Sequence, residues 1–551
     1  MRTQSAITVI THTVSVAAGV FAPGHLGELT QYLPFELVDD VLERTRTVQR
    51  RLRLLPSRAG VYFVLALGMF PCLGYARVWG KLTAGLGGLG LACPSEKALR
   101  DLRRRLGPAP LKALFEVVAG PLAQPHTPGV RFGGLRTVAF DGCNSVKIPD
   151  TGRNRTWIGR IRCRMSWAGY PTLRLIALAE TGTRALLGAT VGSVTDRDET
   201  ALAARLLHLL RPGMLVLLDR GFDAGWFFAE VASTGAMLLA RACSSRNPQV
   251  REHLPDGSYL SCLDGLEVRI IEADLVVTGA DGSRIGDRYR LITTLTDHRR
   301  FPAAALIRLY HERWEIESAF LALRHTLLNG RVLRSGDRPG VEQELWALLT
   351  LYQLLRMAMV TAVETRPGTD PDRASFTTAL EAARQELTAA RGICPTGPAD
   401  LPGVIGRAVL ATLLPARRPR YSARKIKAPT SRYQARDDTR PHTTTVITTI
   451  TITTPPLDLR PRRPRPAPNG NKPRPPRPPT RRQQVIALMS TDPNRTWSGQ
   501  ELAARLQIKL HNLLTQLPER ARLGFLAHTD YGTYALNTRP GNTSWANAPD
   551  P

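Results

Sequence analysis

The chain has 551 residues, of which 43% are hydrophobic and 22% charged, which excludes an intrinsically disordered protein and gives room for about two to four domains. The 74 Lys and Arg outnumber the 46 Asp and Glu, so the formal net charge is +28. Such an excess favours a polyanionic partner, with nucleic acid as the first candidate, although a GC-rich genome would also raise the arginine content.

The cysteines and the apolar runs restrict the cellular compartments in which the protein is expected. Seven scattered cysteines without a Cys-x-x-Cys pair argue against a disulfide framework and a zinc ribbon, and they indicate a reducing environment. The apolar run 60–73 is too short to cross a bilayer, and the N-terminus lacks the pattern of a signal peptide. We therefore expect a cytoplasmic protein without a membrane partner.

Residues 1–120 predict a helical N-terminal domain that binds DNA. Residues 29–53 and 95–106 have the apolar periodicity of amphipathic helices. A stretch rich in Pro and Gly at 121–134 marks the end of this domain. Basic side chains concentrate on the two helices: Arg44, Arg46, Arg50, Arg51, Arg53, Arg100, Arg103, Arg104 and Arg105.

The pattern then changes to the strands of a mixed sheet with covering helices, an α/β fold. Strands are predicted at 135–140, 172–180, 185–194, 214–218 and 236–240, with helices at 199–210 and 224–233. Short alternating runs between turn signals predict a β-rich insertion at about 244–296. Helices follow to about residue 391, of which 341–365 is the longest.

Two aspartates follow predicted strands of this sheet. Asp141 comes after the strand that ends at Phe140, and Asp219 comes after 214–218. A glycine stands close behind each of them, which permits close approach of another group. If both strands lie near the centre of the sheet, the two carboxylates can be neighbours. A single aspartate in such a place is more often a turn or cap residue, so the argument depends on the pair.

A helix predicted at 309–325 carries a third carboxylate. Tyr310, Arg313, Glu317 and Arg324 fall within an arc of about 60° at the pitch of an α-helix. Ordinary ion pairs at helical spacing explain this helix, taken alone, equally well. If the helix packs against the sheet edge, Glu317 joins the two aspartates. The adjoining apolar stripe consists of Ile316, Phe320, Leu323 and Leu327.

Three convergent carboxylates repel one another unless a cation neutralises them. Oxygen ligands without His or Cys select Mg²⁺ or Mn²⁺, and we expect two such ions bound by Asp141, Asp219 and Glu317. A pair of ions can activate the attacking hydroxyl and stabilise the leaving oxygen of a phosphodiester. Tyr310, Arg313 and Arg324 would then bind DNA phosphates.

Other polar residues nearby are interpreted as structural. Asp196, Asp198 and Glu199 form a rival acidic cluster, but they lie at a predicted helix start and are interpreted as caps. Four further residues near or on the 309–325 helix are interpreted as surface or packing residues: His311, Glu312, Glu315 and His325.

The spacing Tyr310-x2-Arg313-x3-Glu317-x6-Arg324 resembles the Tyr-Arg-Glu-Lys signature of the IS4 family of DDE transposases, which bacterial insertion sequences encode. The segment Leu217-Leu-Asp219-Arg-Gly-Phe222 is similar to the second aspartate motif of that family, and Phe140-Asp-Gly142 matches the first. The resemblance covers about residues 25–365. The family usually has Lys at its last signature position, where this chain has Arg324; arginine keeps the charge but has a planar fork.

The resemblance implies a ribonuclease H-like catalytic domain at 135–390. It also implies metal-dependent strand cleavage at element ends, a hairpin intermediate and cut-and-paste transfer. The partners would be double-stranded DNA, both the terminal inverted repeats and the target, with a homodimer in the DNA complex. In such enzymes an aromatic residue of the insertion can stack on a flipped base; Tyr289 is a candidate, although an aromatic residue that opens a strand is more often a core residue.

The C-terminal part predicts a linker and a second DNA-binding module. Residues 415–482 form a basic linker rich in Pro and Arg, with a Thr-rich run at 443–454 that is a possible edge strand. Three short helices are predicted at 482–490, 498–506 and 509–520, and a hairpin at 525–536 turns at 530–532. This order at 483–540 is typical of a winged helix-turn-helix, and a helical tail without a DNA role is the alternative.

The hypothesis from these residues is a cut-and-paste DNA transposase. One alternative is a non-catalytic DNA-binding regulator derived from a transposase, which Arg324 would favour. Another is a structure-specific nuclease on the same core, which would cut DNA without joining it.

Overall fold

The structure is a computed structural model that describes residues 24–51, 54–87, 90–159, 169–193, 198–243, 245–279, 284–310, 313–393, 401–416, 445–454, 481–508, 526–530 and 532–537, with single positions between 509 and 525. The chain divides into two compact units, Met1–Leu459 and Arg460–Pro551.

The first unit begins with five helices, as the sequence predicted for its N-terminal part. They are α1 (Phe35–Arg44), α2 (Ser57–Met69), α3 (Tyr75–Thr83), α4 (Glu96–Leu106) and α5 (Ala109–Val118). The helix predicted at 29–53 is shorter than expected, because Pro34 stands at its N-cap and Arg46 has a positive φ of 55° just beyond its end. Helix α4 begins as predicted, where the Ser95 hydroxyl accepts a hydrogen bond from the Ala98 N–H at 3.2 Å.

A large mixed sheet forms the centre of the first unit. Its first strands are β1 (Arg131–Phe132), β2 (Leu135–Lys147), β3 (Thr172–Glu180), β4 (Leu186–Ser193), β5 (Met214–Leu218) and β6 (Met237–Arg241). Strands β2, β5 and β6 are parallel, and β3 and β4 add antiparallel strands beside β2. Three helices join or cover them: α6 (Gly152–Ile158), α7 (Glu199–Ala204) and α8 (Gly225–Ser233).

Strand β2 does not end at Asp141, as the sequence suggested, but continues to Lys147. The continuation pairs with β3 and has a register shift between Cys143 and Val146. The parallel pairing of β2 with β5 stops earlier, at Ala139 opposite Leu217. Asp141 therefore lies beyond the end of the parallel pairing although it is within a strand.

The β-rich insertion extends this sheet. Its strands are β7 (Glu252–His253), β8 (Tyr259–Leu263), β9 (Leu266–Gly279) and β10 (Arg284–Thr293), and β10 is antiparallel to β6. The full order is β4-β3-β2-β5-β6-β10-β9-β8-β7. The Thr-rich run forms strand β11 (Thr445–Ile452), which pairs with the second half of β9. The linker residues 417–444 and 455–480 lie outside the described residues.

Helices follow the insertion and complete the first unit. They are α9 (Ala303–Tyr310), α10 (Trp314–Leu321), a π-helical segment (Ala322–Leu327), α11 (Arg338–Glu364), α12 (Phe376–Ala389) and α13 (Gly403–Ala411). Helix α11 packs against α2 and α5 of the N-terminal part, where the Phe115 and Trp346 ring centroids are 5.5 Å apart. One hydrophobic core therefore includes both the N-terminal helices and one face of the sheet.

Helix α11 has the length and composition of a membrane span, with a most apolar window of mean hydropathy 1.4. Within the protein, 89% of that window is buried. Burial of this extent is typical of the core helix of a globular fold.

The insertion is fastened to the segment before α9 by one fully buried arginine. Arg269 of β9 donates hydrogen bonds to the Ser258 hydroxyl and to the Phe301 carbonyl, both at 2.7 Å, and forms an ion pair with Asp256. Burial lowers the pKa of this guanidinium, which Asp256 partly offsets.

Replacing Arg269 by Met is expected to destabilise the protein by about 3–5 kcal/mol, because it leaves Asp256 and two other polar groups without their buried partner. The free energy of unfolding in urea measures this loss. The matched control is Arg288→Met on β10, which removes an exposed ion pair with Asp274 and should leave the stability unchanged. Equal stability of the two variants would contradict the fastening role.

The second unit contains α14 (Arg481–Ser490), β12 (Trp497–Ser498), α15 (Gly499–Arg505) and a hairpin of β13 (Leu526–Asp530) and β14 (Thr533–Leu536). The strands form a sheet in the order β12-β14-β13 over a small core that includes Trp497 and Tyr534. The first two predicted helices and the hairpin are present. The third, at 509–520, lies mostly outside the described residues.

Candidate active site

The register of the sheet places two aspartates side by side. Asp141 lies two residues after Ala139 on β2, and Asp219 lies two residues after Leu217 on β5. Since Ala139 and Leu217 are partners on adjacent parallel strands, the aspartates stand at the same level, on strands about 4.8 Å apart. Side chains two residues apart share a face of the sheet, so both carboxylates lie on the face against which α9 and α10 pack.

Both carboxylates are fixed by the glycines that follow them. The Asp141 Oδ1 accepts a hydrogen bond from the Gly142 N–H at 2.8 Å. The Asp219 Oδ1 accepts one from the Gly221 N–H at 2.7 Å, where a short 3₁₀ turn begins. These bonds use one oxygen of each carboxylate and so limit the directions in which the other can point.

A buried guanidinium joins Asp141 to the third carboxylate. Arg313 Nη1 lies 3.9 Å from Asp141 Oδ1, and its Nη2 lies 3.6 Å from Glu317 Oε1. Arg313 is only 6% exposed. Burial alone would lower the pKa of Arg313, but Tyr310, Asp141 and Asp219 act in the opposite direction and raise it above the ordinary value. The guanidinium therefore remains charged and holds Asp141 and Glu317 around it.

Tyr310 is a packing residue in this structure. It is 2% exposed, its hydroxyl donates a hydrogen bond to the Leu218 carbonyl at 3.1 Å, and burial raises its pKa to about 12. The phenol ties α9 to the end of β5 beside Asp219. The ring is not exposed to a ligand in this conformation, and the contact of Tyr310 with a DNA phosphate stays a prediction.

Tyr289 is also buried, at 1% exposure. Its ring lies edge-on to Tyr310 with the centroids 6.0 Å apart, and the Arg241 guanidinium lies 3.9 Å from its centroid. In this conformation the ring has a core position, which is the more common place for an aromatic residue on a strand. Base stacking by Tyr289 stays a prediction.

Arg324 does not continue the helical arc that the sequence predicted. Helix α10 ends at Leu321 and a π-helical segment follows, in which the Leu328 N–H donates to the Leu323 carbonyl at 3.0 Å. Arg324 lies in this π-helical segment, so the angular position that the sequence predicted at the pitch of an α-helix does not apply to it. Its side chain is partly exposed and its Nη2 lies 3.2 Å from His325 Nε2, so it can reach a ligand that Tyr310 cannot. His311, Glu312 and Asp196 lie outside the described residues, as does the side chain of Glu315.

Glu199 lies close to the glycines that follow Asp141 and Asp219, although the sequence suggested only a helix cap. A methyl group on Gly142 would lie 3.3 Å from the Glu199 Oε2, and one on Gly221 would lie 3.6 Å from it. The other oxygen, Oε1, accepts a hydrogen bond from Asn144 at 2.8 Å. Asp198 already caps the helix by accepting from the Thr200 N–H. Glu199 is therefore a second acidic residue that capping does not require. This surplus carboxylate is the signal in the sequence that could have identified it.

Replacing Glu199 by Ala is expected to slow the phosphodiester cleavage that the sequence predicts about 10- to 100-fold at saturating DNA without weakening DNA binding, because it removes the carboxylate that lies beside both Gly142 and Gly221. Glu199→Gln should retain more activity, since its amide oxygen can still accept from Asn144. Single-turnover rates and separate binding measurements distinguish the two effects. Glu230→Ala, at an exposed site of α8, is the control; equal rates for Glu199→Ala and Glu230→Ala would exclude the contact as a factor.

The carboxylates fit a hard divalent cation by their chemistry. Asp141, Asp219 and Glu317 bring three negative charges to one region, and Arg313 supplies one positive charge, so the site retains excess negative charge. In the described part of the chain, however, no three Asp, Glu, His or Cys side chains are close enough to bind one ion. The expected three-carboxylate set is not assembled in this conformation, since the Arg313 guanidinium bridges Asp141 and Glu317.

Comparison with known proteins agrees with these observations. Residues 23–116 match the family model described as the N-terminal region of the insertion element 4 transposase, and residues 136–354 match the transposase DDE domain. Together the two matches cover more than half of the chain, and they define a DDE transposase, an enzyme that acts on DNA. The chain belongs to the IS4 family of these transposases.

Individual relatives are similar over different lengths. The transposase InsG for insertion sequence element IS4, from Escherichia coli strain K12, is 27% identical over 419 residues, which cover 73% of this chain and 92% of InsG. The putative transposase y4zB of Sinorhizobium fredii is 29% identical over 30% of this chain and 48% of its own length. A solved piggyBac transposase synaptic complex with hairpin DNA covers 73% of this chain and 87% of its own, but its TM-score of 0.35 and identity of 8% are too low to support an argument.

Proposed function

We propose that this transposase cuts DNA at the ends of its own element and joins the element to a target, with Asp141, Asp219 and Glu317 as the residues that bind two Mg²⁺ or Mn²⁺ ions. The observation that supports this most is the shared level of Asp141 and Asp219 on adjacent parallel strands, with Arg313 linking Asp141 to Glu317. Carboxylates from two central strands and one helix are the donor set that such ions require.

The strand order supports a ribonuclease H-like core. Three parallel strands, β2, β5 and β6, lie beside the antiparallel pair β3 and β4. Asp141 and Asp219 lie just beyond the residues through which β2 and β5 pair. The insertion then continues the sheet beyond β6. We infer that this sheet is the catalytic core and that the insertion is an elaboration of its edge.

The residues of the site have separate tasks in the proposed reaction. When bound, the ions would activate the attacking oxygen and stabilise the leaving oxygen of a phosphodiester. Arg313, at 6% exposure, positions Asp141 and Glu317 instead of contacting DNA in this conformation. Arg324 is partly exposed and is the residue of the signature that would bind a DNA phosphate.

The proposed partners are the terminal inverted repeats and the target DNA, with two protein copies in the DNA complex. The excess positive charge of the chain supports a polyanionic partner. In the second unit, a helix, a short strand, a further helix and a hairpin occur in the order of a winged helix, so this unit would add a DNA contact. The bacterial cytoplasm, at the nucleoid, is the proposed location.

The purified full chain tests this function with a supercoiled plasmid that carries both ends of the element. Wild-type protein should nick and join this DNA in Mg²⁺ and not in EDTA, and Glu317→Gln should do neither. Glu342→Gln, which removes a carboxylate from an exposed pair with Arg338 on α11, should behave like the wild type.

Each other outcome has a defined meaning. Equal activity of Glu317→Gln and the wild type would overturn the assignment of the site. DNA binding by the wild type without any cleavage would favour the non-catalytic regulator, and cleavage without joining would favour the structure-specific nuclease.

A further inference from the structure

A cavity of about 530 Å³ lies between the N-terminal helices and the start of α11. Helix α4 forms one wall, helix α6 and the turn before α11 form the other, and Tyr75 and Gln343 are among the residues inside. We call this cavity the arginine cleft, since five guanidiniums line it: Arg100, Arg103, Arg104, Arg153 and Arg334.

The floor of the arginine cleft is a rigid polar network. Arg103 is 6% exposed and donates hydrogen bonds to Gln343 at 2.9 Å, Ser335 at 3.1 Å and Glu344 at 3.2 Å. The Gln343 amide donates in return to the Arg103 carbonyl at 3.0 Å and the Gly107 carbonyl at 2.8 Å. Arg334 is occupied by the Leu73 and Phe70 carbonyls. These two arginines therefore build the cleft and are not available to a ligand.

The rim of the arginine cleft carries three exposed guanidiniums, which have weak contacts or none with the carboxylates of the described residues. Arg104 lies 3.8 Å from Asp101 with its side chain 70% exposed, and Arg153 lies 3.9 Å from Asp337 with its side chain 82% exposed. Arg100 is exposed on the same helix as Arg104. Solvent-exposed ion pairs at such distances contribute little to stability, so these guanidiniums remain available to an anion.

Few negatively charged side chains among the described residues line the arginine cleft. Asp337 is the carboxylate among its lining residues, and its Oδ1 is occupied as the N-cap of α11, where it accepts from the Gly340 N–H at 3.1 Å. The N-terminus of a helix as long as α11 adds a positive potential at the same place. Arginines from two separate parts of the fold thus face one shared space that has a net positive charge.

We propose that the arginine cleft binds backbone phosphates of a DNA duplex at the same time as the cleavage site of that duplex lies at Asp141 and Asp219. The inference rests on the transposase function and adds a DNA contact that joins the N-terminal helices to the catalytic sheet. Guanidiniums are suited to phosphate oxygens because of their planar fork of donors. A phosphate held between Arg104 of α4 and Arg153 of α6 would contact both parts of the first unit at once.

One backbone hydrogen bond connects the arginine cleft to the strand that carries Asp141. The Leu333 N–H donates to the Lys147 carbonyl at 3.0 Å, which fixes the turn beside the cleft to the far end of β2. Lys147 and Asp141 lie on that strand about 20 Å apart at the rise of a β-strand.

The test uses the full chain and a duplex that carries one end of the element, in EDTA so that no cleavage is needed. The variant replaces Arg100, Arg104 and Arg153 by Gln, and a second variant replaces them by Lys. The control removes three exposed charges outside the cleft, with Arg205→Gln, Arg251→Gln and Arg391→Gln. Equal thermal midpoints of all proteins show that each is folded.

The Gln variant of the cleft is expected to bind the duplex about 10- to 100-fold more weakly near 0.1 M salt, and its plot of log K against log salt should be shallower by about two to three. The Lys variant should keep most of the salt dependence. In phosphate-ethylation interference, the Gln variant should lose at least one signal that the wild type and the control show, and keep the others.

Two results would overturn the proposal: equal losses in the cleft variant and the control, or the same interference pattern in the cleft variant and the wild type. Because these measurements need no catalysis, a failure of the arginine cleft and a failure of the Glu317 assignment are distinguishable.

Discussion

The Asp219→Asn protein is expected to lose DNA cleavage by about a thousandfold or more while it folds and binds DNA as the wild type does. Asn keeps the shape of the side chain, and its amide oxygen can still accept the hydrogen bond from the Gly221 N–H. The charge is lost, and with it a hard anionic ligand at the level of Asp141. Removing a ligand that acts as part of one catalytic group removes most of the rate.

The nicking rate of an element-end duplex in Mg²⁺ measures this loss, and a binding assay in EDTA shows that the DNA contact is intact. Asp198→Asn is the matched control, because it removes an acidic charge from the N-cap of α7, where Asn caps equally well. If Asp219→Asn cleaves as fast as Asp198→Asn, Asp219 is not part of the active site.

The Arg313→Met protein is expected to be less stable than the wild type by about 3 kcal/mol in the absence of divalent cations. The guanidinium is 6% exposed and is the positive charge between Asp141 and Glu317. Its removal leaves partly buried carboxylates that repel one another, which is the costly way to break a buried ion pair. Mg²⁺ should restore part of this stability, since an ion that binds the folded state stabilises it.

Urea unfolding with and without Mg²⁺ measures the effect of Arg313→Met. Arg58→Met, which breaks a half-buried pair with Asp39 in the N-terminal part, is the control and should change the stability by about 1 kcal/mol or less, without a response to Mg²⁺. Stability of Arg313→Met that is independent of Mg²⁺ would contradict a cation site at these carboxylates.

Local signals in the sequence were sufficient for several parts of the fold. The apolar run before Asp219 is a central strand, the helix predicted at 95–106 is present as Glu96–Leu106, and the hairpin turns beside Asp530. Each depends on a few adjacent residues whose preferences agree. The family of the protein was also recognisable, since the signature residues occur at fixed spacing along the chain.

Non-local contacts account for what the sequence did not show. Strand β2 continues past Asp141 because β3 supplies partners for its second half, and no residue near Asp141 indicates this. The insertion continues the central sheet because β10 pairs with β6, which lies far away in the chain. The burial of Tyr289 and Tyr310 and the π-helical segment that contains Arg324 likewise depend on what packs against them.

The shared core around α11 also constrains which shortened forms of this transposase can exist. Phe115 and Trp346 are in contact across the junction of the N-terminal helices and α11. At Gly68 the space for a methyl group is already filled by Leu351. A polypeptide that started after α5 would expose this apolar face of α11 to water and would tend to aggregate. Late initiation beyond residue 118 is therefore not expected to give a soluble protein.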